Sequence, residues 1–514
     1  MNYADLFRVT LPETALEVAA LLVLVVDLSL LRKAALQTRA SVAALLGVAG
    51  CAAALWAVLA SSGAGLSFGN DLLLAVGGSA AVAQAGILIL TALTLLLIIG
   101  SVFTRNVGEY VAVVLMAAAG GLIIAAAQDL LVIFIGLELL SLGLYILTAF
   151  AKLSGKSAEA AMKYYLFGGM SAAFLLFGFS YLYGMSGSTS LPRVILGTYF
   201  FSANGGTPLL LIALVMIAVG LGFKVAAVPF HLWAPDTYEG APAPAAAFIA
   251  SVSKVASFAL LISISTSILW WPAALHMKGS AIAIVPQPGT PLLQMTYGFV
   301  SGWPFILMLL AAASMVVGNL AALAQSSVRR LLAYSAIAHA GYILLGLAFF
   351  SWTPASAQAI LYYILTYGLT TIGAFGVVDV VERATGSDRM DSFLGLHKRN
   401  PPLAAVLLVL FLSLAGIPPL VGFWAKFNLF ALVLATSSGP VPFTLVALAV
   451  AFSAVSLYYY LQVLKRAYVK PAVDETPIKA HPVTMAVLIA ISAAVVLLGC
   501  FPALLQQWIS TFIA

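Results

Sequence analysis

The chain consists of long apolar runs separated by short polar segments. A spanning helix needs about 20 apolar residues, and a window of about 19 residues predicts fourteen such helices here. Membrane β-barrel strands would be about 10 residues long with alternating polarity, and the sequence shows none. The predicted spans are 12–31, 40–60, 80–101, 108–126, 128–150, 157–184, 207–236, 241–268, 302–322, 327–350, 354–382, 401–436, 441–467 and 482–512.

Two of these runs are too long for one straight span and contain proline. Residues 207–236 would extend about 45 Å and residues 401–436 about 54 Å as straight helix, against a hydrocarbon core of about 30 Å. Pro229 interrupts the first run, and Gly-Ile-Pro-Pro at 416–419 interrupts the second. Interrupted helices at corresponding places in two halves point to the binding site of an inverted-repeat transporter.

The two halves also correspond weakly in sequence. A Gly-Phe pair stands beside Lys224 and again, 200 residues later, just before Lys426, and the same offset carries Glu138 to within one residue of His339. An offset of about five spans makes each repeat odd-numbered, so the second copy is expected to be inverted. The predicted division is three N-terminal helices in 1–107, a first repeat in 108–268, a second in 302–467 and a last helix in 468–514.

Composition and charge agree with a membrane protein and indicate its orientation. Of the 514 residues, 63% are apolar and 8% charged, whereas soluble domains carry about 25% charged residues. Sixteen of the 23 Lys and Arg fall in loops on one side, four fall within spans, and Arg8, Arg193 and Lys278 fall on the other side. Cytoplasmic loops carry the excess of Lys and Arg, so both termini are expected in the periplasm of a bacterial inner membrane. The scattered basic residues do not predict nucleic-acid binding.

The first span is expected to be retained. Asp5, Glu13 and Glu17 precede the apolar run, and no small-residue cleavage site follows. A secretory signal peptide has a positively charged start and such a site, so neither a signal nor a transit peptide is predicted.

Ionisable residues inside apolar spans are the candidates for chemistry, because a charge at the centre of a membrane helix is costly and marks function by default. They are Glu138, Lys163, Lys224, Lys254 and Lys426. Buried Lys and Glu can exchange protons through water. Burial favours the neutral form of each side chain, whereas a nearby opposite charge favours the charged form. The alternatives are a static ion pair between Glu138 and one lysine, and an interfacial position for Lys163 near the cytoplasmic end.

Three further residues complete the candidate proton path. His231 follows Lys224 by two turns, just past Pro229, and could relay protons to the cytoplasm. His339 is central in its span, where it is either a proton carrier or a packed neutral histidine. Glu109 lies one turn inside its helix, as a proton carrier or a favourable charge at a helix N-terminus.

The sequence predicts no cofactor in this chain. Cys51 and Cys500 are too few for an iron–sulfur cluster, which usually needs four thiolates. The five histidines are far apart, and residues 154–157 lack the earlier glycine of a phosphate-binding loop.

Four stretches carry a resemblance to a known family: 159–178, 222–258, 329–346 and 414–427. They resemble subunit N of proton-translocating NADH:quinone oxidoreductase, respiratory complex I, in the family of antiporter-like membrane subunits. The stretch 222–258, with its lysine and PFHxWxPD core, is the most specific. Lys426 also favours subunit N, because the sister subunit M has glutamate at that position.

The resemblance implies an all-α fold of fourteen transmembrane helices, with two inverted five-helix repeats whose helices seven and twelve are discontinuous. It implies that Glu138, Lys224, Lys254 and Lys426 translocate protons. FMN, iron–sulfur clusters and quinone are expected in other subunits, where NADH is oxidised. The expected partners are the neighbouring antiporter-like subunit M, the small K- and J-type subunits and the lipid bilayer. The alternatives are a subunit of a multi-subunit cation/proton antiporter and, less well supported, a membrane enzyme acting on lipid-linked substrates.

Overall fold

The chain forms a bundle of helices in a computed structural model. The structure describes residues 7–61, 73–101, 103–201, 207–274, 302–351, 353–437, 439–472 and 475–513. Within these ranges the only β-type pairings are three isolated bridges between loops. Asp5, one of the acids before the first apolar run, and Lys278, one of the three basic residues on the predicted periplasmic side, lie outside the described residues.

The first half contains the helices up to residue 274. They are α1 (Leu11–Val25), α2 (Leu36–Ser61), α3 (Gly78–Gly100), α4 (Val107–Ala126), α5 (Leu130–Thr148), α6 (Gly155–Ser186), α7 (Leu191–Phe201), α8 (Thr207–Val225), α9 (Trp233–Gly240) and α10 (Ala243–Ala274). A π-helical segment, Val26–Leu30, continues α1.

The second half begins at residue 302. Its helices are α11 (Gly302–Leu323), α12 (Val328–Ala348), α13 (Pro354–Thr385), α14 (Pro401–Ala415), α15 (Val421–Thr436), α16 (Pro440–Tyr468), α17 (Pro482–Cys500) and α18 (Pro502–Ile513). Short helical turns at Met390–Phe393 and Leu396–Arg399 precede α14.

The predicted all-α membrane architecture is confirmed. Within the described ranges, twelve helices are long and apolar enough to span a membrane. The continuous stretch 11–30 and the broken pair α14–α15 correspond to the two remaining predicted spans. Both predicted interruptions are present, since α8 stops at Val225 before Pro229 and α14 stops at Ala415 before the second Pro-containing segment.

Two details differ from the sequence prediction. Helix α7 was not predicted, because its 11 residues are too short for a window designed to detect spans. The last predicted span, 482–512, is two helices that separate at Phe501. Proline has no backbone N–H and disfavours helical geometry in the preceding residue, so Pro502 begins a new helix instead of continuing the old one.

Three helices form the centre of the bundle. In the most apolar segment of α10, 100% of the residues are buried, and in those of α12 and α13 the share is 89% each. In α16 it is only 22%. Helix α10 packs against α3, α4 and α13, so the first and second halves meet along α10 and α13. Polar side chains on these helices are therefore shielded from lipid by the protein itself.

Glycines bring the first two helices of each predicted repeat into close contact. A Cβ atom at Gly120 of α4 would lie 2.6 Å from the backbone nitrogen of Leu140 in α5. A Cβ atom at Gly318 of α11 would lie 2.7 Å from the backbone nitrogen of Ala338 in α12. Small residues allow membrane helices to approach closely, and here they do so at corresponding places in both halves.

Candidate functional site

The break after α8 presents a backbone carbonyl to a buried lysine. The residue after α8, Ala226, has a positive φ of 56°, which turns the chain out of the helix. The carbonyl oxygen of Val225, the last residue of α8, accepts a hydrogen bond from the amine of Lys254. The last carbonyls of a helix have no intrahelical partner, so the break itself supplies this acceptor.

Lys254 lies on the central helix α10 and is 2% exposed. Its amine nitrogen is 6.0 Å from the ring centroid of Trp233, the first residue of α9. Both halves of the interrupted helix therefore contact this amine, one through a carbonyl and the other through an aromatic face, and both contacts favour a positive charge.

Lys224 is directed away from the break, toward α5. It is 6% exposed, and its amine donates a hydrogen bond to the hydroxyl of Ser141. The same nitrogen lies 5.6 Å from the ring centroid of Phe223.

The second break repeats the arrangement with a lysine on its own helix. Gly416, directly after α14, has a φ of +88°. The amine nitrogen of Lys426 lies 2.9 Å from the carbonyl oxygen of Ala415 and 3.1 Å from that of Leu414, the last two residues of α14. It also donates to the hydroxyl of Ser453 on α16 at 2.9 Å, and Lys426 is only 6% exposed.

The two breaks thus share the same arrangement of chemical groups. Each first half-helix ends with carbonyl groups at the negative end of its dipole, and a buried amine occupies that end. Burial away from water disfavours a charged amine, while the carbonyls stabilise it. Opposing effects of this kind let an amine gain or lose a proton in response to small changes nearby.

His339 lies beside the second break. Its Nδ1 atom is 2.9 Å from the hydroxyl of Tyr363, and its ring centroid is 4.8 Å from that of Tyr367. A small cavity, with room for about one water molecule, adjoins His339 and is also lined by Tyr363, Ser413 and Gly422.

Aromatic residues connect the first break with His339. The ring of Tyr238, on α9, lies 6.3 Å from that of Trp233 and 5.8 Å from that of Phe375 on α13. Tyr367 stands two turns before Phe375 on that helix. Among the described residues, the buried hydroxyl of Tyr238 has no hydrogen-bond partner, and such a group normally binds ordered water.

Glu138 does not form the direct ion pair with Lys224 that the sequence left open. Within the described residues, no carboxylate oxygen lies within 4.0 Å of the Lys224 amine, which bonds instead to Ser141, one turn after Glu138 on α5. Glu138 is close enough to interact electrostatically with Lys224. It is half-buried and shares a face of α5 with the exposed residues Ile135 and Leu142.

The structure places Lys163 in an ion-pair cluster near the predicted cytoplasmic end. Its amine lies 2.7 Å from carboxylate oxygens of both Glu159 and Asp236. Asp236 also accepts from Arg330 at 2.6 Å, and Arg330 bonds to Glu239 at 3.0 Å. This cluster joins α6, α9 and α12, so it connects the two halves, and it is separate from the buried lysines.

Neither of the two remaining candidates forms a hydrogen bond with a buried lysine in the described part of the chain. Glu109, in the first turn of α4, accepts a hydrogen bond of 2.7 Å from the amide of Asn106. His231 lies within the first break and is 9% exposed, and its buried Nδ1 atom has no hydrogen-bond partner among the described residues.

A polar network near Lys426 was not predicted from the sequence. The amide of Asn319 donates to the hydroxyl of Tyr342 and accepts from that of Tyr459, each at 3.2 Å. The Lys426 amine lies 5.5 Å from the ring centroid of Tyr342. Ser141 and Ser453 were not predicted either. Neutral polar residues on apolar helices are common, so only the fold identifies those that contact a lysine.

Comparison with known proteins identifies the family of the chain. The family described as "NADH:quinone oxidoreductase/Mrp antiporter, TM" matches residues 127–290 and 268–454. The chain is 46% identical over 523 aligned residues to NADH-quinone oxidoreductase subunit N 2 of Acidobacterium capsulatum, with 99% of each chain covered. The chain belongs to the NADH-quinone oxidoreductase subunit N family. It is also 37% identical to subunit N of Desulfovibrio desulfuricans, over 98% of this chain and 95% of that one.

A solved structure agrees with this assignment. A chain of respiratory complex I from Thermus thermophilus with bound aureothin is 33% identical, matches with a TM-score of 0.75, and covers 96% of this chain and 98% of its own. A chain of the Mrp complex from Dietzia sp. has a TM-score of 0.78 at 21% identity, over 98% and 97% of the two chains, and shows that the fold is shared. Within the described part of this subunit N chain, no group of three His, Cys, Asp or Glu residues could hold a metal ion.

Proposed function

We propose that this chain translocates protons as subunit N of a membrane-bound NADH:quinone oxidoreductase. The observation that carries the proposal is the repeated arrangement at the two helix breaks, where a buried lysine amine bonds to the terminal carbonyls of a half-helix. FMN, the iron–sulfur clusters and quinone would be bound by other subunits, in which NADH is oxidised and quinone reduced. The 46% identity to a subunit N over nearly the whole chain favours this function over a separate cation/proton antiporter.

The proton path we propose runs laterally through the centre of the bundle. Lys224, near Glu138, would exchange a proton with Lys254, whose amine bonds to the carbonyl of the residue that follows Lys224. From Lys254 the path would pass through water bound beside Tyr238 toward His339. A charge gained at one amine disfavours a charge at the next through Coulomb repulsion, so each transfer drives the following one.

Lys426 would be the last proton-loading site of this path. It follows the second break, where backbone groups freed from the helix and water can reach the bilayer interior. Its hydrogen bond to the half-buried Ser453 of α16, the least buried of the helices compared above, supports this role. The proton would leave from there toward the periplasm.

Partner subunits would cover the polar positions at the surface of the bundle. Glu138 stands among Leu131, Ile135, Leu142 and Ile146, which are 51–62% exposed on α5. A carboxylate facing lipid is costly, so we propose that another membrane subunit packs on this face. The expected neighbours are the antiporter-like subunit M and the small K- and J-type subunits.

The loop charges support an orientation with both termini in the periplasm. The predicted cytoplasmic side contains the basic residues that follow α1, α3, α5, α11, α13 and α16, and the bundle would lie in the bacterial inner membrane. The ion-pair cluster of Lys163, Asp236 and Arg330 lies at this basic end.

The function is tested by measuring proton pumping and NADH oxidation together in membranes with a matched content of assembled complex. Lys254→Met removes the amine but keeps a long flexible side chain. We expect both activities to fall about tenfold or more, while Lys398→Met, an exposed control in the helical turn before α14, retains them. Normal pumping by Lys254→Met would contradict the proposed path.

A further inference from the structure

A buried carboxyl group in the N-terminal helices takes no part in the path described above. Glu13 lies in the first turn of α1 and is 6% exposed. Its Oε1 atom accepts a hydrogen bond of 3.5 Å from the amide of Gln84 on α3, while its Oε2 atom has no hydrogen-bond partner among the residues that the structure describes. A buried carboxyl group without a cationic partner is normally neutralised or coordinated.

The unpartnered oxygen is next to a space that water can enter. A small cavity, partly open to solvent and with room for about one water molecule, lies against Glu13, Gln84, Ser61 and residues 74–77. These residues stand at the start of α1, the end of α2 and the start of α3. All three positions are at the end of the bundle opposite the basic loops.

No described cation faces this carboxyl group. The helices packed around it contribute Gln84 from α3 and the carbonyl of Leu122 from α4, both uncharged, and Ser61 from α2. Glu17, one turn later on α1, is an exposed acid and supplies no positive charge. Arg8 is exposed. A bound proton is therefore the simplest way to neutralise Glu13.

Gln84 holds the carboxyl group and also binds the backbone of α4. Its amide donates to Glu13 and, at 3.2 Å, to the carbonyl oxygen of Leu122, so both partners are acceptors and the amide orientation is fixed. The Glu13–Gln84 pair is therefore anchored to α4.

We propose that Glu13, held by Gln84, is a reversible proton-binding site open to the side of the membrane opposite the basic loops and separate from the buried lysines. A hydronium ion that reaches the cavity from bulk water gives up a proton to Oε2; one O–H bond of the hydronium breaks, the O–H bond of a neutral carboxyl group forms and a water molecule is left, and the reverse step returns the proton to water. The site requires no cofactor.

The test uses the intact complex and does not depend on pumping. Infrared difference spectra between acid and alkaline pH, at constant sodium, record the C=O stretch of protonated carboxyl groups. Subtraction of the Glu13→Gln spectrum from that of the unmodified complex isolates the contribution of Glu13. We expect a band that appears as the pH falls and shifts in heavy water, and Glu17→Gln, the exposed control one turn away, should retain it. Identical spectra for Glu13→Gln and the unmodified complex would overturn the proposal.

Two further measurements distinguish a proton site at Glu13 from a cation site and from a carboxyl group that never ionises. If the band changes with sodium at constant pH, Glu13 binds a cation rather than a proton, which also contradicts the proposal. If Glu13→Gln impairs assembly, Glu13→Asp keeps a carboxyl group in the cavity and should show a shifted band that still titrates. A band that does not titrate in Glu13→Asp would count against a reversible site.

Discussion

The amine of Lys426 lies 2.9 Å from the carbonyl oxygen of Ala415, the last residue of the half-helix that precedes the second break. Lys254 makes the corresponding contact with Val225 at the first break, although it belongs to a different helix. In both halves a lysine amine therefore lies at the carbonyl end of a broken helix. In the first half the lysine belongs to a separate helix, and in the second it belongs to the helix that follows the break. The helix break, more than the sequence position of the lysine, defines the site.

Gly416 gives Lys426 access to this site. A Cβ atom at Gly416 would lie 3.0 Å from Cδ and 3.2 Å from the amine nitrogen of Lys426. We therefore expect Gly416→Ala to displace the amine and lower pumping and NADH–quinone turnover severalfold in assembled complex. The positive φ of Gly416 also destabilises the backbone by about 1–2 kcal/mol for any residue with a side chain.

Gly386→Ala is the matched control for Gly416→Ala. Its φ is +74°, but a Cβ atom there would meet nothing within 4 Å. It should carry the same backbone cost and keep normal activity for each assembled complex. Equal activity of the two variants would show that crowding of Lys426 has no effect.

Lys163 should tolerate arginine. It is 41% exposed and bonds to two carboxylates, so a permanent cation satisfies the same partners, and exposed ion pairs contribute little to stability. We expect Lys163→Arg to pump normally, while Lys163→Gln weakens the contact between α6 and α9. If Lys163→Arg abolishes pumping at matched complex content, Lys163 is a proton carrier. Its position in an apolar run made it a candidate for that role.

Glu138 and Lys224 should depend on each other. Each single alanine substitution should lower pumping and weaken assembly, because it leaves a charge without its counterpart, and breaking a fully buried pair costs about 3–5 kcal/mol. Since Glu138 is half-buried and Lys224 bonds to Ser141, we expect a smaller cost here. The double mutant should be less impaired than the sum of the single mutants, whereas Glu138→Ala with Lys398→Ala should be additive. Simple additivity for Glu138 and Lys224 would exclude their coupling.

The orientation can be tested by labelling an introduced cysteine in intact cells. Ala384 lies in the exposed last turn of α13, near Asp388, on the predicted cytoplasmic side. In a background with the exposed Cys500 replaced by serine, Ala384→Cys should react with an impermeant thiol reagent only after the cells are opened. Labelling of intact cells from outside would reverse the topology.

The features that could be predicted from the sequence are those that depend on the composition of a single segment. Lys254 and Lys426 were identified because they stand alone in apolar runs, and the two breaks because proline interrupts runs too long for one span. The sequence could not show that the broken ends bind these amines, because those contacts join residues on different helices or across a turn. Glu13 was interpreted only as an acid before the first span, since its burial depends on packing against α2, α3 and α4.

Proton pumping by Lys426→Arg tests the central claim most directly. Arginine keeps the positive charge and can donate to the carbonyls of Leu414 and Ala415, but its guanidinium does not release a proton in proteins. In membranes with matched complex content, we predict that proton pumping and NADH–quinone turnover both fall about tenfold or more, nearly as far as in Lys426→Ala. Normal pumping by Lys426→Arg would show that Lys426 is a fixed charge and would contradict its role as a proton-loading site.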